Sequence, residues 1–201
     1  MPRQARVIQQ KQCYHIISRG NNRQALFCDE QDFHYYLRIF SNNAKKYQVS
    51  VFHYCLMNNH THLLMRSDLS DNGIARLMHA LQTSYAGYYH KKYGKTGHVF
   101  ENRFKNYWIG LDSYLLECGR YIERNPVRAG MVAGPEDYPW SSYRYYALGH
   151  SDKLLTTNPV FMDLGDNESE RRSAYVQYVQ AIRVYESIVD QFFEKRTRAQ
   201  K

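Results

Sequence analysis

Apolar and polar positions along this chain follow two rhythms, and the places where one gives way to the other mark its elements. "CYHIISRG" (13–20) alternates as a strand does and closes on Gly20 and an Asn-Asn turn. From residue 29, "DEQDFHYYLRIFSNNAKKY" sets Phe33, Tyr36, Leu37 and Phe40 at helical spacing, with acids in the first turn and lysines in the last. "QVSVFHYCLM" (48–57) and "HTHLLMRS" (60–67) flank Asn58 and Asn59, so 48–67 reads as a β-hairpin. "NGIARLMHALQTSYAGYYHKKYG" (72–94) predicts a second amphipathic helix that stops at Gly94. "RFKNYWI" (103–109) predicts a fourth strand, on which Arg103 and Lys105 share a face. A third helix, "SYLLECGRYIERN" (113–125), is expected to stop at Pro126.

Strand, helix, strand, strand, helix, strand is the α+β split βαβ plan: a ferredoxin-like antiparallel sheet with helices on one face. The stretch 131–165, with Pro135, Pro139 and Pro159, predicts an irregular wrap-around segment. A final helix is expected over 168–196, with Tyr175, Val179, Ile182, Tyr185 and Val189 as its stripe. The expected organisation is a domain over 1–130 and a C-terminal segment over 131–201 that belongs to the same unit.

Composition narrows the partner. The net charge is +8, and its excess is uneven. Residues 1–24 carry Arg3, Arg6, Lys11, Arg19 and Arg23 and no acid, while 90–108 carry Lys91, Lys92, Lys95, Arg103 and Lys105 against Glu101 alone. Basic segments attract phosphate backbones by counterion release. Nineteen tyrosines, nine phenylalanines and two tryptophans interleave with them, and aromatic faces stack on unpaired bases, which favours single strands. The four cysteines are scattered without a CxxC pair, which speaks for reduced thiols and against a zinc ribbon. The N-terminus lacks the apolar stretch of a signal peptide and no apolar run is long enough to span a bilayer, so a cytoplasmic, nucleoid-associated protein is expected.

Candidate chemistry begins at "LMNNHTHLLM" (56–65). His60 and His62 stand two apart on a strand, so both side chains point to one face with Cα atoms about 7 Å apart. They can converge on one ion, or be ordinary polar residues of a solvent face. Two imidazoles do not make a site, and a third donor has to come from elsewhere. "GRYIERNPVRAG" (119–130) offers Tyr121 and Asn125, four apart on one helical face. A tyrosine can attack a phosphodiester that a metal ion polarises, and an asparagine carbonyl can ligate that ion. Two imidazoles with a hard oxygen leave room for water and substrate, which suits Mg2+ or Mn2+. Equally, Asn before Pro is a common helix stop, and tyrosine is frequent throughout the chain.

In family order, "YHIISRGNNRQALF" (14–27), "VFHYCLMNNHTHLLM" (51–65), "GHVFENRFKNYWI" (97–109), "YLLECGRYIERNPVRAGMV" (114–132) and "PEDYPWSSYRYY" (135–146) resemble the REP-associated tyrosine transposases, a branch of the single-tyrosine HUH transposases. The resemblance covers roughly residues 13–147. It implies a metal-dependent single-stranded DNA nuclease and strand transferase. His60 and His62 match the metal-binding pair, Asn125 the third ligand and Tyr121 the nucleophile, which forms a 5′-phosphotyrosine link and frees a 3′-hydroxyl. The implied substrates are REP-type DNA hairpins, with no nucleotide cofactor. Thr61 departs from the family pattern, where the middle position is bulky and apolar, and slightly poorer packing is expected there.

Arg19, Gly20, Asn21, Asn22 and Arg23 form a turn expected to offer backbone N–H groups and two guanidinium forks to DNA. Arg103 and Lys105 are expected to line a single-strand groove. His53, His79, His90 and His98 read as structural or surface residues, and Glu123, facing away from Tyr121, is given no role. Two other readings stand beside the transposase one. A non-catalytic single-strand binder with an RNA-recognition-type sheet needs neither histidine nor tyrosine, and a hydrolase of small phosphoesters can also use an HxH pair. A monomer is favoured over a homodimer.

Overall fold

The computed structural model describes residues 8–110 and 112–181. Four strands, β1 (Cys13–Arg19), β2 (Val49–Met57), β3 (His60–Ser67) and β4 (Lys105–Ile109), form one sheet in the order β2-β3-β1-β4. Every pairing is antiparallel. With helices α1 (Glu30–Tyr47) and α2 (Gly73–Tyr93) between the strands, this is the expected ferredoxin-like plan. A capping box starts α1: the Asp29 carboxylate accepts from the Asp32 amide, and the Asp32 carboxylate accepts in return from the Asp29 amide. Gly94, in the left-handed region at φ +61°, ends α2.

Alternation along the strands decides what each face covers. Tyr14 and Ile16 of β1, Leu63 and Met65 of β3, and Val49, Val51 and Leu56 of β2 pack under Tyr36 and Phe40 of α1 and Leu77, Leu81 and Tyr85 of α2. The opposite face is covered by α3 (Asp112–Arg128), whose Leu115, Cys118 and Ile122 pack on Phe52, Cys55, Met57 and Leu64. A register shift lies between Val51 and His53 of β2. It turns two consecutive residues, Phe52 and His53, toward α3. Thr61 faces the first core, fully buried near Tyr36. Burial holds the Tyr36 phenol above its ordinary value, and the Thr61 side chain offsets part of that rise.

Pro126 does not end the third helix. It lies inside α3, which runs on to Arg128. Proline removes the N–H that would bond the Ile122 carbonyl, and the Asn125 side-chain amide donates to that carbonyl at 3.3 Å and to the Tyr121 carbonyl at 2.7 Å. The break expected from sequence is thereby bridged. Arg103 also departs from expectation: β4 begins at Lys105, and Arg103 is an exposed residue of the preceding loop, so the two do not share a strand face. That loop is drawn toward the end of β1 instead, through a Gly20–Phe100 bridge and a bond from the Glu101 amide to the Arg19 carbonyl.

Beyond α3 the chain wraps as the prolines indicated, but with short helices α4 (Tyr143–Leu148), α5 (Pro159–Met162) and α6 (Glu168–Gln180). It pairs with the outer edge of β2: Leu56 donates to the Trp140 carbonyl, Ser142 to that of Tyr54 and Thr156 to that of Val51. Tyr143, Tyr146, Phe161, Tyr175 and Val179 form a third cluster around Leu116 of α3. Arg120 and Arg124 of α3 donate to the carbonyls of Tyr178 and Val179 at the end of α6. The part of the final helix expected beyond 181 lies outside the described residues.

The approach of α3 to β2 is close enough to test. A Cβ on Gly119 would stand 2.6–2.9 Å from the His53 ring. That ring is held at both nitrogens, by the Glu123 carboxyl at 2.9 Å and the Asn158 amide at 3.0 Å. Gly119→Ala gains about 1 kcal/mol of helix propensity but meets an overpacking cost of roughly 1–3 kcal/mol. A net loss of stability is expected in urea denaturation; a stabilised variant would show that the ring can give way.

Candidate active site

Three strands place the candidate residues on the α3 face of the sheet. Arg19 of β1 pairs with His60 of β3, Ile17 with His62, and Lys105 of β4 with Ile17. Directly paired residues share a face, so Arg19, Lys105 and both histidines lie on the same side. The imidazole centroids are 4.9 Å apart. From α3, the half-buried Tyr121 ring stands edge-on to His62 at 5.8 Å and to His15 at 5.9 Å. Asn125 follows one turn later on the same helix.

Hydrogen bonds fix which atoms these side chains can offer. Asn59 donates through Nδ2 to the Arg23 carbonyl at 3.2 Å, which leaves its Oδ1 as the acceptor facing His60 Nδ1 at 2.7 Å. His60 therefore carries its proton on Nδ1, and its lone pair is on Nε2. His62 Nδ1 sits 2.9 Å from Nε2 of the buried His15, so its Nδ1 is likewise engaged. The Asn125 amide, with its nitrogen on the two helix carbonyls, leaves Oδ1 as the atom it can offer to a further partner. All three imidazoles are held neutral. Burial pulls His15 down to about 3. Burial, then the nearby Arg19 charge, pulls His60 down to about 4. Burial, then the His15, His60, Arg19 and Arg128 charges, holds His62 well below the usual imidazole range.

These observations fit a divalent ion. Among the described residues no cluster of three or more His, Cys, Asp or Glu side chains could hold a metal. The available set is the neutral His60 and His62 imidazoles and the Asn125 amide oxygen, with Asn59 setting the His60 proton on Nδ1 and His15 engaging Nδ1 of His62. So few protein donors leave coordination positions for water and substrate.

The basic turn presents side chains rather than amides. The Gly20, Asn21 and Arg23 amides bond to the carbonyls of Asn59, Val99 and Gly20, which corrects the expectation of a backbone phosphate nest. Bonds to the hairpin, to the loop at Val99 and within the turn itself consume those donors. Exposed Arg19, Asn22 and Arg23 remain to meet a ligand. Gly20 is required for the docking itself, because a Cβ there would stand 2.2 Å from the Gln24 carbonyl oxygen.

Two residues escaped the sequence reading. His15 stands beside His62 because β1 is the central neighbour of β3, and its odd position in β1 puts it on the histidine face; the split βαβ plan carried that signal. Glu123 is fully buried and bonds His53 Nδ1 at 2.9 Å, Ser142 Oγ at 2.6 Å and the Tyr175 hydroxyl at 2.6 Å. It faces away from Tyr121, as the helical spacing indicated, yet it ties the tyrosine-bearing helix to β2, α4 and α6.

A ferredoxin-like sheet that holds a histidine pair against a helix-borne tyrosine is the arrangement expected of a single-tyrosine DNA-joining protein. The chain belongs to the IS200-like transposase family, whose model matches residues 8–125. A relative from Haemophilus influenzae, described as a REP-associated tyrosine transposase, is 27% identical over 114 residues. That match covers 52% of this chain and 64% of the relative, so the chain spans less than two thirds of its length. Among solved structures, a REP-associated tyrosine transposase bound to a REP hairpin superposes with a TM-score of 0.60 at 14% identity. It covers 78% of this chain and 91% of that one, a likeness of fold. Among the described residues, no helix is long and apolar enough to cross a membrane.

The histidines give the metal-free protein an acid-sensitive stability. Their folded pKa values lie below the unfolded 6.5, at about 3 for His15 and about 4 for His60. The unfolded chain therefore binds more protons between pH 6.5 and those values, and stability falls as pH falls through that window. At pH 5 the loss is on the order of 2 kcal/mol for each fully buried imidazole. Urea midpoints measured in EDTA should drop from pH 7 to 5 and drop less in His62→Gln; a flat profile would contradict neutral, buried imidazoles.

Proposed function

We propose that this protein is a metal-dependent single-stranded DNA endonuclease and strand transferase that works through a 5′-phosphotyrosine on Tyr121. The observation that carries the proposal is the Tyr121 ring packed against His62, two residues from His60, with each imidazole's Nδ1 engaged. His60 Nε2, His62 Nε2 and Asn125 Oδ1 would hold Mg2+ or Mn2+, which when bound polarises the scissile phosphate.

The chain's own residues do the rest. The Tyr121 phenol oxygen attacks phosphorus and loses its proton, while the bond to the 3′ oxygen breaks and that oxygen leaves as a hydroxyl. The new ester conserves the phosphodiester bond, so a 3′-hydroxyl can later attack it and rejoin strands without a nucleotide. Arg19 and Lys105, on the histidine face of the sheet, and the exposed Asn22 and Arg23 of the adjoining turn would grip the DNA backbone, while Arg103 would reach it from the loop before β4. Gly20 and Asn21 support this surface by docking the turn, rather than by touching DNA through their amides.

The structurally similar transposase is bound to a REP hairpin, and we carry single-stranded REP-type hairpins over as the substrate. Tyrosine and histidines meet within one chain, which supports a monomer as the working unit. The C-terminal stretch from 131 is read as part of the same unit, because α4 and α6 share the α3 cluster. The non-catalytic reading has less support: it needs an open sheet face, and α3 covers much of that face.

Labelled single-stranded hairpins incubated with Mn2+ should give a covalent protein–DNA adduct on a denaturing gel. EDTA and Tyr121→Phe should each abolish it, while His60→Ala or His62→Ala should lose cleavage and keep most hairpin binding. Cleavage that survives in Tyr121→Phe would overturn the mechanism, and tight binding without adduct or cut strand would favour the binding-module reading.

A further inference from the structure

The helix that carries Tyr121 does not end at Pro126, and this brings a further residue to the site. Tyr121, Asn125 and Arg128 are at i, i+4 and i+7, one column along a single face of α3. Had the helix stopped at the proline, Arg128 would have no fixed relation to Tyr121. Instead the Asn125 amide supplies the bond that proline removes. The last turn is closed by the Ala129 amide on the Asn125 carbonyl, the Gly130 amide on Val127 and the Met131 amide on Pro126. Gly130 then leaves the helix at φ +65°.

The Arg128 guanidinium carbon lies 5.1 Å from the centroid of the Tyr121 ring. A guanidinium seated on an aromatic face is oriented by that contact, and its N–H donors lie in its own plane, the geometry that grips two phosphate oxygens.

We propose that Arg128 is a catalytic residue, holding a non-bridging oxygen of the scissile phosphate beside Tyr121. This rests on the reading of Tyr121 as the nucleophile. As the bond from the tyrosine oxygen to phosphorus forms and the bond to the 3′ oxygen breaks, negative charge grows on the non-bridging oxygens. A fixed guanidinium stabilises that charge more than it stabilises the resting diester. In the product it stays beside the phosphotyrosine and helps present it to an incoming 3′-hydroxyl.

The test measures single-turnover adduct formation with Mn2+ for the wild type, Arg128→Gln and Arg128→Lys. The substrate is a hairpin oligonucleotide with either its ordinary scissile phosphate or a methylphosphonate, each diastereomer separately. On the ordinary phosphate, Arg128→Gln should slow adduct formation about 100-fold, with Arg128→Lys intermediate and hairpin affinity little changed. In the methylphosphonate diastereomer that replaces the oxygen facing Arg128, wild type and Arg128→Gln should react at nearly the same rate. An equal penalty on phosphate and methylphosphonate, or no penalty on either, would overturn the role of Arg128 while leaving Tyr121 as nucleophile. A wild type that forms no adduct would remove the reading beneath it.

Discussion

A carboxyl group buried with no exposed surface organises this molecule. Glu123 sits in the middle of α3 and receives His53 from β2, Ser142 from the cap of α4 and Tyr175 from α6. Leaving such a group without partners costs several kcal/mol, so the three donors are in effect required once the helix lies on the sheet. Tyr175 is kept a donor, because burial and then the Glu123 charge hold its phenol well above the ordinary value. The network fixes the rotation of α3 about its own axis. With Glu123 turned inward toward β2 and the C-terminal wrap, Tyr121 is turned to the other side, toward the histidine pair. The wrap is therefore part of the device that aims the tyrosine.

A second chain of orientation runs through the hairpin turn. The Arg23 carbonyl sets the Asn59 amide, the amide sets the proton of His60, and His15 engages the matching nitrogen of His62. This accounts for the polar interruption in an otherwise apolar hairpin. Asn58 also serves the turn, its carbonyl accepting from the Leu26 and Phe27 amides. The basic turn after β1 thus has two duties: its backbone positions the histidine-bearing hairpin, and its side chains face outward.

The order of elements was legible because period-2 and period-3.6 patterns are local. The histidine pair was legible too, since i, i+2 spacing on a strand has one geometric meaning. Partners distant in sequence were not. His15 meets His62 across 47 positions, and Glu123 meets His53 across 70, Tyr175 across 52 and Ser142 across 19. Pro126 misled for a different reason: its rule assumes an unanswered carbonyl, and the neighbouring Asn125 side chain answers it. Arg103 was misplaced because the loop before β4 is recruited to the end of β1 at Phe100 and Glu101 and joins the sheet only at Lys105.

The proposed chemistry depends most on Tyr121 being the one nucleophile in a chain with nineteen tyrosines. The most direct measurement is to trap the protein–DNA adduct, trim the DNA with nuclease, digest the protein and map the nucleotide remnant by tandem mass spectrometry. The account predicts the remnant on Tyr121 alone, joined through the 5′ phosphate. A remnant on another tyrosine, or DNA cut with no remnant on the protein, would contradict it.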